Sequence, residues 1–409
     1  MKKKELNIFF INPERLSYLL DLYKLSIDSF LELLNKDLKR SLITKEILSD
    51  ILDKKRGISI NYLKRIDKIF NCGLTWVVGK GEAPDKKKRS IFFRKEKFNA
   101  DFNFYSKKVI TKYEDLKFQI EALSKSVGFD LKDKIKEKYS IKDNPIIVAE
   151  KMFNEFNNIQ RNFLAKGIIK NNKDDRTYLV NLIRVLEELN IFVFEHLETV
   201  TKKEKVSFDG FFISPNIIVV KRQQKYLRRE IFTLIHEFAH YLLKIEEVDD
   251  DDDNKLFAGD NKVENWCHSF AYYFLLGDEK RLVNELKVAN KNNNYYKTEI
   301  LGIYNKTKLS FKAIYTNLLF SNKISRDNYE IIMGEINENI RANEIREKIK
   351  KDKNKDLGIT VFASPKPIVS NIFKDLVVSN YFEGSINEPE LRYFLNIKQK
   401  SPIDDIIYS

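Results

Sequence analysis

The stretch that most limits what this chain can become is Ile231–Leu243, IFTLIHEFAHYLL, where two histidines stand four residues apart with a glutamate after the first. On an α-helix, residues four apart are offset by about 40° and about 6 Å along the axis. His236 and His240 therefore face one point in space and can share one metal ion. Glu237 lies about 100° further round, so it flanks such an ion and is placed to act as a general base. Phe232, Ile235, Ala239, Leu242 and Leu243 repeat at helical spacing as a separate stripe. The spacing predicts a helix with one side in a core and its ligands turned to a cleft. A helix with two incidental histidines is the plain alternative. The chain holds only four His, and a chance match among them has a probability of roughly a few in a thousand.

A second periodic segment follows at Val263–Gly277, VENWCHSFAYYFLLG, with an apolar face of Val263, Cys267, Phe270, Ala271 and Phe274. It offers Glu264 as a third ligand. Two His and one Glu with a fourth position left for water form the set expected of a catalytic zinc site, so Zn2+ is the expected cofactor.

The motifs RREIFTLIHEFAHYLL, Phe208-Asp209-Gly210 before it and Glu264-x-x-Cys-x-x-Phe-Ala after it resemble those of the ImmA/IrrE-type metallopeptidases. In that family the last motif usually reads Glu-x-x-Ala-Asn-x-Phe-Ala, and its Glu is the third zinc ligand. Carried over residue by residue, His236, His240 and Glu264 become ligands and Glu237 the catalytic base. Here Cys267 stands where Ala is usual and His268 where Asn is usual. His268 lies one turn from Glu264, and three roles stay open for it: supporting a ligand, competing as a ligand, or no metal contact. The resemblance implies a zincin-like peptidase core, and a zinc-dependent endopeptidase acting on a narrow substrate, a helix-turn-helix transcriptional repressor. It spans roughly residues 145–398 and is strong only around 208–276.

At 409 residues the chain has length for two or three domains. Hydrophobic content of 43% and an aromatic share of 12% point to a folded protein. Cys72 and Cys267 sit far apart in apolar periodic segments and make no disulfide framework. The start, MKKKELNIFF, has the charges of a signal peptide, but its apolar run breaks at Asn12-Pro13-Glu14. No later run approaches the roughly 20 apolar residues that span a bilayer. A cytoplasmic protein without a membrane partner is the expectation. The formal net charge is +13, and residues 1–112 hold 26 Lys+Arg against 14 Asp+Glu. A localised basic excess is the footprint of nucleic-acid contact.

Taken in order, Asn12-Pro13, Ser26, Thr44 and Ser59 each read as the start of a short helix, the last closed by Asn71-Cys72-Gly73. This array resembles the helix-turn-helix domain of XRE-type repressors, with Thr44–Leu52 as recognition helix. Lys45, Ser49, Lys54, Lys55 and Arg56 are the candidate contacts to duplex DNA. The Lys36–Ile43 turn is longer than the usual 3–4 residues, so a domain that docks a protein partner is the alternative. Gly79–Arg89 has the composition of a linker. Asp143-Asn144-Pro145 begins a helix, Leu179–Leu189 continues as another, and Ile191–Phe194, Val206–Ile213 and Ile217–Val220 read as strands. His196, just after the first strand, reads as a strand-end residue. An edge strand of that sheet could align an extended peptide by β-addition. The run EEVDDDDD at 246–253 reads as a solvated loop, with a lid or a partner for the basic N-terminal region as the alternative.

The fold class expected is α+β, mainly helical, with a small β-sheet beside the metal-bearing helix and an all-α domain before it. The divisions are 1–88, helix-turn-helix-like; 89–140, helical connector; 141–285, peptidase core; and 286–409, helical C-terminal region. The rival reading is a DNA-binding regulator or toxin-type module whose peptidase fold no longer cuts. Intact His236, Glu237, His240 and Glu264 count against it, because a dead site has no chemical need for all four.

Overall fold

The computed structural model describes residues 8–82, 103–197, 205–222, 226–246, 248–250, 261–356, 367–399 and 401–407. The chain forms two compact units, one of residues up to Leu116 with a short segment ending at Ser207, the other of the rest. The architecture is α+β: mostly helical, with a small mixed sheet.

In the first unit, local cap chemistry sets the helix starts. Helices α1 (Pro13–Tyr23), α2 (Ile27–Asn35) and α3 (Lys45–Leu52) begin where Asn12, Ser26 and Thr44 accept backbone N–H groups of the first turn. Two further helices follow, α4 (Ile60–Phe70) and α5 (Leu74–Val78). A two-residue ladder joins β1 (Ile8–Phe9) to β2 (Ile58–Ser59). Leu16, Phe30, Ile51, Leu63, Ile66 and Val77 form the centre of the core. The long turn between α2 and α3 has fixed structure. Asn35 bonds both ways with the Ile43 backbone at 2.8 and 2.9 Å. Arg65 donates to the Leu34 and Lys36 carbonyls, at 3.1 and 2.9 Å. A helix α6 (Phe104–Ser126) then runs into the second unit. Most of the linker expected at Gly79–Arg89 lies outside the described residues.

In the second unit, α7 (Pro145–Ala165), capped by Asn144, and α8 (Asp175–Glu188), capped by Asp174, precede the sheet. The strands β3 (Phe192–His196), β4 (Phe208–Ile213) and β5 (Ile217–Lys221) come next, then α9 (Leu227–Leu243), the helix that carries His236 and His240. The fourth strand, β6 (Val248–Asp250), is followed by α10 (Lys262–Leu276), which carries Glu264. Sheet order is β3-β5-β4-β6, with β3 parallel to β5 and the other two pairs antiparallel. The acidic run therefore departs from the expected solvated loop. Its residues Val248–Asp250 pair with β4, Phe211 opposite Val248 and Phe208 opposite Asp250. A ladder is made by the backbone, so the aspartates did not forbid it. At the β3 edge of the sheet the Glu195 N–H donates to the Ile368 carbonyl at 2.9 Å.

The remaining helices are α11 (Lys280–Asn284), α12 (Lys297–Lys306), α13 (Phe311–Phe320), α14 (Arg326–Asp356), α15 (Asn371–Phe382), α16 (Glu388–Phe394) and α17 (Asp404–Ile407). The core shows no break near residue 285. Leu286, Ile300, Leu309, Ile314 and Ile332 belong to the same buried cluster as Val148, Leu186, Ile235 and Phe270. No described helix is long and apolar enough to cross a membrane.

Candidate metal centre

The start of α9 is fixed by charge. Arg228 bonds to Asp175 at 3.1 Å and donates to the Tyr304 and Leu309 carbonyls, while its guanidinium lies 3.6 Å from the Tyr304 ring centre. Helix α10 is held by Trp266, whose indole N–H donates to the Asp143 carbonyl at 2.8 Å. Phe238, Phe156, Phe270 and Phe274 fill the space between these two helices and α7 through ring contacts of 5.1–6.0 Å. Two rigid helices thus present the candidate ligands to each other.

His236 Nε2 lies 3.1 Å from Glu264 Oε2 and 3.1 Å from His240 Nε2, and His240 Nε2 lies 3.4 Å from Glu264 Oε1. Among the described residues these three form the one cluster able to hold a metal ion. For bond lengths of about 2.0–2.1 Å, donors of a tetrahedral ion stand about 3.3–3.4 Å apart. The three separations fall close to that edge length. Two imidazole nitrogens facing each other at 3.1 Å are chemically suited to a shared cation. The donors therefore fit zinc. Burial, the largest influence on Glu264, favours its neutral form, yet the hydrogen bonds and charges of His236 and His240 hold it well below the usual carboxylate range. It stays ionised, as a ligand must be.

Glu237 is fully buried beside the sheet. A methyl group on Gly210 would lie 2.6 Å from Thr233 Cγ2, 3.0 Å from Glu237 Cγ and 3.1 Å from the Val219 carbonyl oxygen. The Phe208-Asp209-Gly210 segment thus needs glycine so that β4 can press on α9 beside Glu237. Asp209 is ion-paired with Arg229.

His268 is buried, and its ring centre lies 5.1 Å from that of Phe232 and 5.6 Å from that of Phe320. Burial, with help from the charge of His236, lowers its pKa to about 4, so it is neutral. His196 packs against Phe208 at the end of β3, outside the ligand cluster. The order of ligand strength can be measured. Glu264→Ala should weaken zinc binding far more than His268→Ala, whose cost should be about 10–100-fold at most. Competition with a chromophoric chelator reads both; the reverse order would move the third ligand to His268.

The candidate DNA residues lie in the other unit. Lys45 and Ser49 are on the solvent side of α3, and Lys54, Lys55 and Arg56 are exposed just after it. Lys45 is paired with Asp28 at 2.6 Å and Lys55 with Asp53 at 2.9 Å. Glu46, Asp50 and Asp53 are exposed along the same stretch. Residues 8–82 contain 13 Lys+Arg against 10 Asp+Glu, so most of the N-terminal excess lies in the flanking sequence.

Residues 186–316 match the family model described as the IrrE N-terminal-like domain, Peptidase_M78. That segment holds β3 to β5, both ligand helices and all four of His236, Glu237, His240 and Glu264. The match supports a peptidase, a hydrolase of the metal-dependent kind. No curated protein and no solved structure matches the chain.

Proposed function

We propose that this protein is a zinc-dependent endopeptidase whose substrate is a helix-turn-helix transcriptional repressor, cut to relieve repression. The observation that carries the reading is the meeting of His236, His240 and Glu264 within tetrahedral donor distance, with Glu237 next along the same helix. When bound there, zinc supplies a Lewis acid that polarises the scissile carbonyl and makes water acidic enough to attack near neutral pH. His236, His240 and Glu264 would hold the ion. Glu237 takes the proton of the attacking water and passes it to the leaving amine. The stem of Glu237 packs under β4 at Gly210.

The test has two parts. Metal analysis of purified protein should find about one zinc per chain. Incubation of the zinc-loaded protein with a helix-turn-helix repressor encoded beside its gene should give a discrete cut that a chelator blocks. A repressor that stays whole would remove this substrate class, while absence of zinc would remove the mechanism.

The N-terminal unit is proposed as a helix-turn-helix-like domain that contacts duplex DNA through phosphates and so brings the enzyme to a DNA-bound repressor. The carboxylates along α3 weigh against strong base reading by that helix. Preference between sequences should therefore be small, and affinity should fall with salt at a slope of about −0.9 per phosphate neutralised. Charge reversal at Lys54, Lys55 and Arg56 should lower it uniformly across sequences, as measured by fluorescence anisotropy. Salt-independent or absent binding would favour docking to a protein partner instead.

A further inference from the structure

Helix α14 turns only one of its sides to the core. Tyr329 and Ile332 are buried there, and Met333 and Ile336 pack against the same cluster. The opposite side is exposed along its length, through Ile331, Gly334, Glu338, Ala342, Ile345 and Ile349. Ile331 precedes Ala342 by eleven residues, as Gly334 does Ile345 and Glu338 does Ile349. Eleven residues make three turns at about 3.67 per turn, so the stripe runs nearly straight. Ile331, Ile345 and Ile349 are 53%, 60% and 51% exposed. A methyl group on Gly334 would meet nothing within 4 Å among the described residues. Charge is divided along the same helix. Residues 327–340 hold Asp327, Glu330, Glu335 and Glu338 and no Lys or Arg. Residues 341–350 hold Arg341, Arg346, Lys348 and Lys350 against Glu344 and Glu347. At about 100° per residue, Glu335 and Arg346 border the stripe on one flank, Glu330 and Lys348 on the other. The helix dipole favours this order of signs, but it gives no reason for isoleucines between them on a solvent face.

We propose that this stripe pairs with itself in a second copy of the chain, the two α14 helices lying antiparallel about a two-fold axis near residue 340. That register sets Ile331 against Ile349 of the second copy and lays Ile345 over the bare backbone at Gly334. It also places Glu335 beside Arg346 of the second copy on one flank, and Glu330 beside Lys348 on the other. Two-fold symmetry repeats every one of these contacts. A parallel pair would bring acidic half against acidic half, which like charge disfavours. Glu330 and Glu335 have cations of their own chain nearby, Arg326 at 3.3 Å and Lys297 at 2.6 Å. Both are exposed pairs through one carboxylate oxygen, so each glutamate can take a second cation. Glu344 accepts from Tyr226, the residue before α9, at 2.9 Å, which ties the pairing helix to the start of the ligand helix. The pairing stands on α14 alone and is independent of the zinc reading.

Sedimentation equilibrium of the full chain should show a reversible dimer at micromolar concentration. Ile345→Glu with Ile349→Glu should raise its dissociation constant by about 100-fold or more, since each lost burial counts twice. Helix content should stay as in the parent protein, because both side chains are exposed within one chain. Arg346→Glu alone should weaken the dimer by about tenfold, and adding Glu335→Arg to the same chain should restore it with the signs exchanged. Orientation is read by cysteine pairs: Ile331→Cys and Ile349→Cys chains should link by a disulfide when mixed and oxidised, and neither should link to itself. A chain that stays monomeric at every concentration, or a dimer indifferent to Ile345→Glu with Ile349→Glu, would overturn the pairing. A dimer that the charge exchange does not restore, or self-linking of the Ile331→Cys chain, would overturn the antiparallel register.

Discussion

Replacing Glu237 by Gln should leave zinc bound and lower the cleavage rate by about 10²–10⁴-fold, the usual contribution of a general base. The amide keeps the size of the carboxylate and its place under Gly210, so the packing that Gly210 permits is retained. What is lost is the ability to accept a proton. His236→Ala and His240→Ala should act differently. Each removes one of three donors that stand 3.1–3.4 Å apart, and both metal and activity should go together. Metal content by mass spectrometry and initial rates on one substrate distinguish the cases. A Glu237→Gln protein that loses zinc would place Glu237 among the ligands, and one that cuts at the parental rate would deny it the base role.

The second large effect is on stability. Glu195 and Glu230 are both fully buried in side chain, and Arg176 bridges them, paired closely with Glu195 and 3.7 Å from Glu230. Arg222 adds a second cation 3.7 Å from Glu195, and the Ile368 N–H donates to the same carboxylate at 2.6 Å. Glu195→Ala should cost about 3–5 kcal/mol, because it strands guanidinium charge in a buried site. With an unfolding entropy of about 2.1 cal/mol/K per residue, that is a fall in melting temperature of roughly 4–8 °C at this chain size. Replacing Glu195 and Arg176 together by apolar residues should cost less than Glu195→Ala alone. Burial pushes the Glu195 carboxyl up, but the bonds from Arg176, Glu230 and Ile368 outweigh it and hold it below the ordinary value. A depressed folded pKa gives stability that is complete above the unfolded value, about 4.3, and is lost as pH falls through the folded one. The gap between parent and variant should therefore narrow in acid. A melting temperature unchanged by Glu195→Ala at pH 7 would show the network to be energetically neutral.

What could be read from the chain beforehand follows the range of the interactions involved. Asn12, Ser26, Thr44 and Asn144 each cap the helix expected of them, because a cap bond reaches only two or three residues. Both ligand helices were legible for the same reason, their polar and apolar positions being set by one period. Phe320 was not. It reaches His268 from another helix across 52 positions, and nothing near it in sequence marks that contact. The Arg176–Glu195–Arg222–Glu230 network is not legible either, since four charged residues on α8, on β3, just after β5 and on α9 have no spacing in common. The pairing of Val248–Asp250 was hidden by composition. Aspartates favour solvent, but strand pairing is a backbone property.

β4 carries resident chain on both sides, β5 on one and β6 on the other, and Ile368 bonds alongside β3. An extended peptide that docks on β4 by main-chain bonding must therefore compete with a neighbour covalently attached to the same molecule. Its apparent dissociation constant is the intrinsic one divided by the fraction of molecules whose border is vacant. Short generic peptides, which bring little besides backbone, lose that competition. A folded protein substrate with further contacts elsewhere can win it, so selectivity can arise from displacement as well as from recognition.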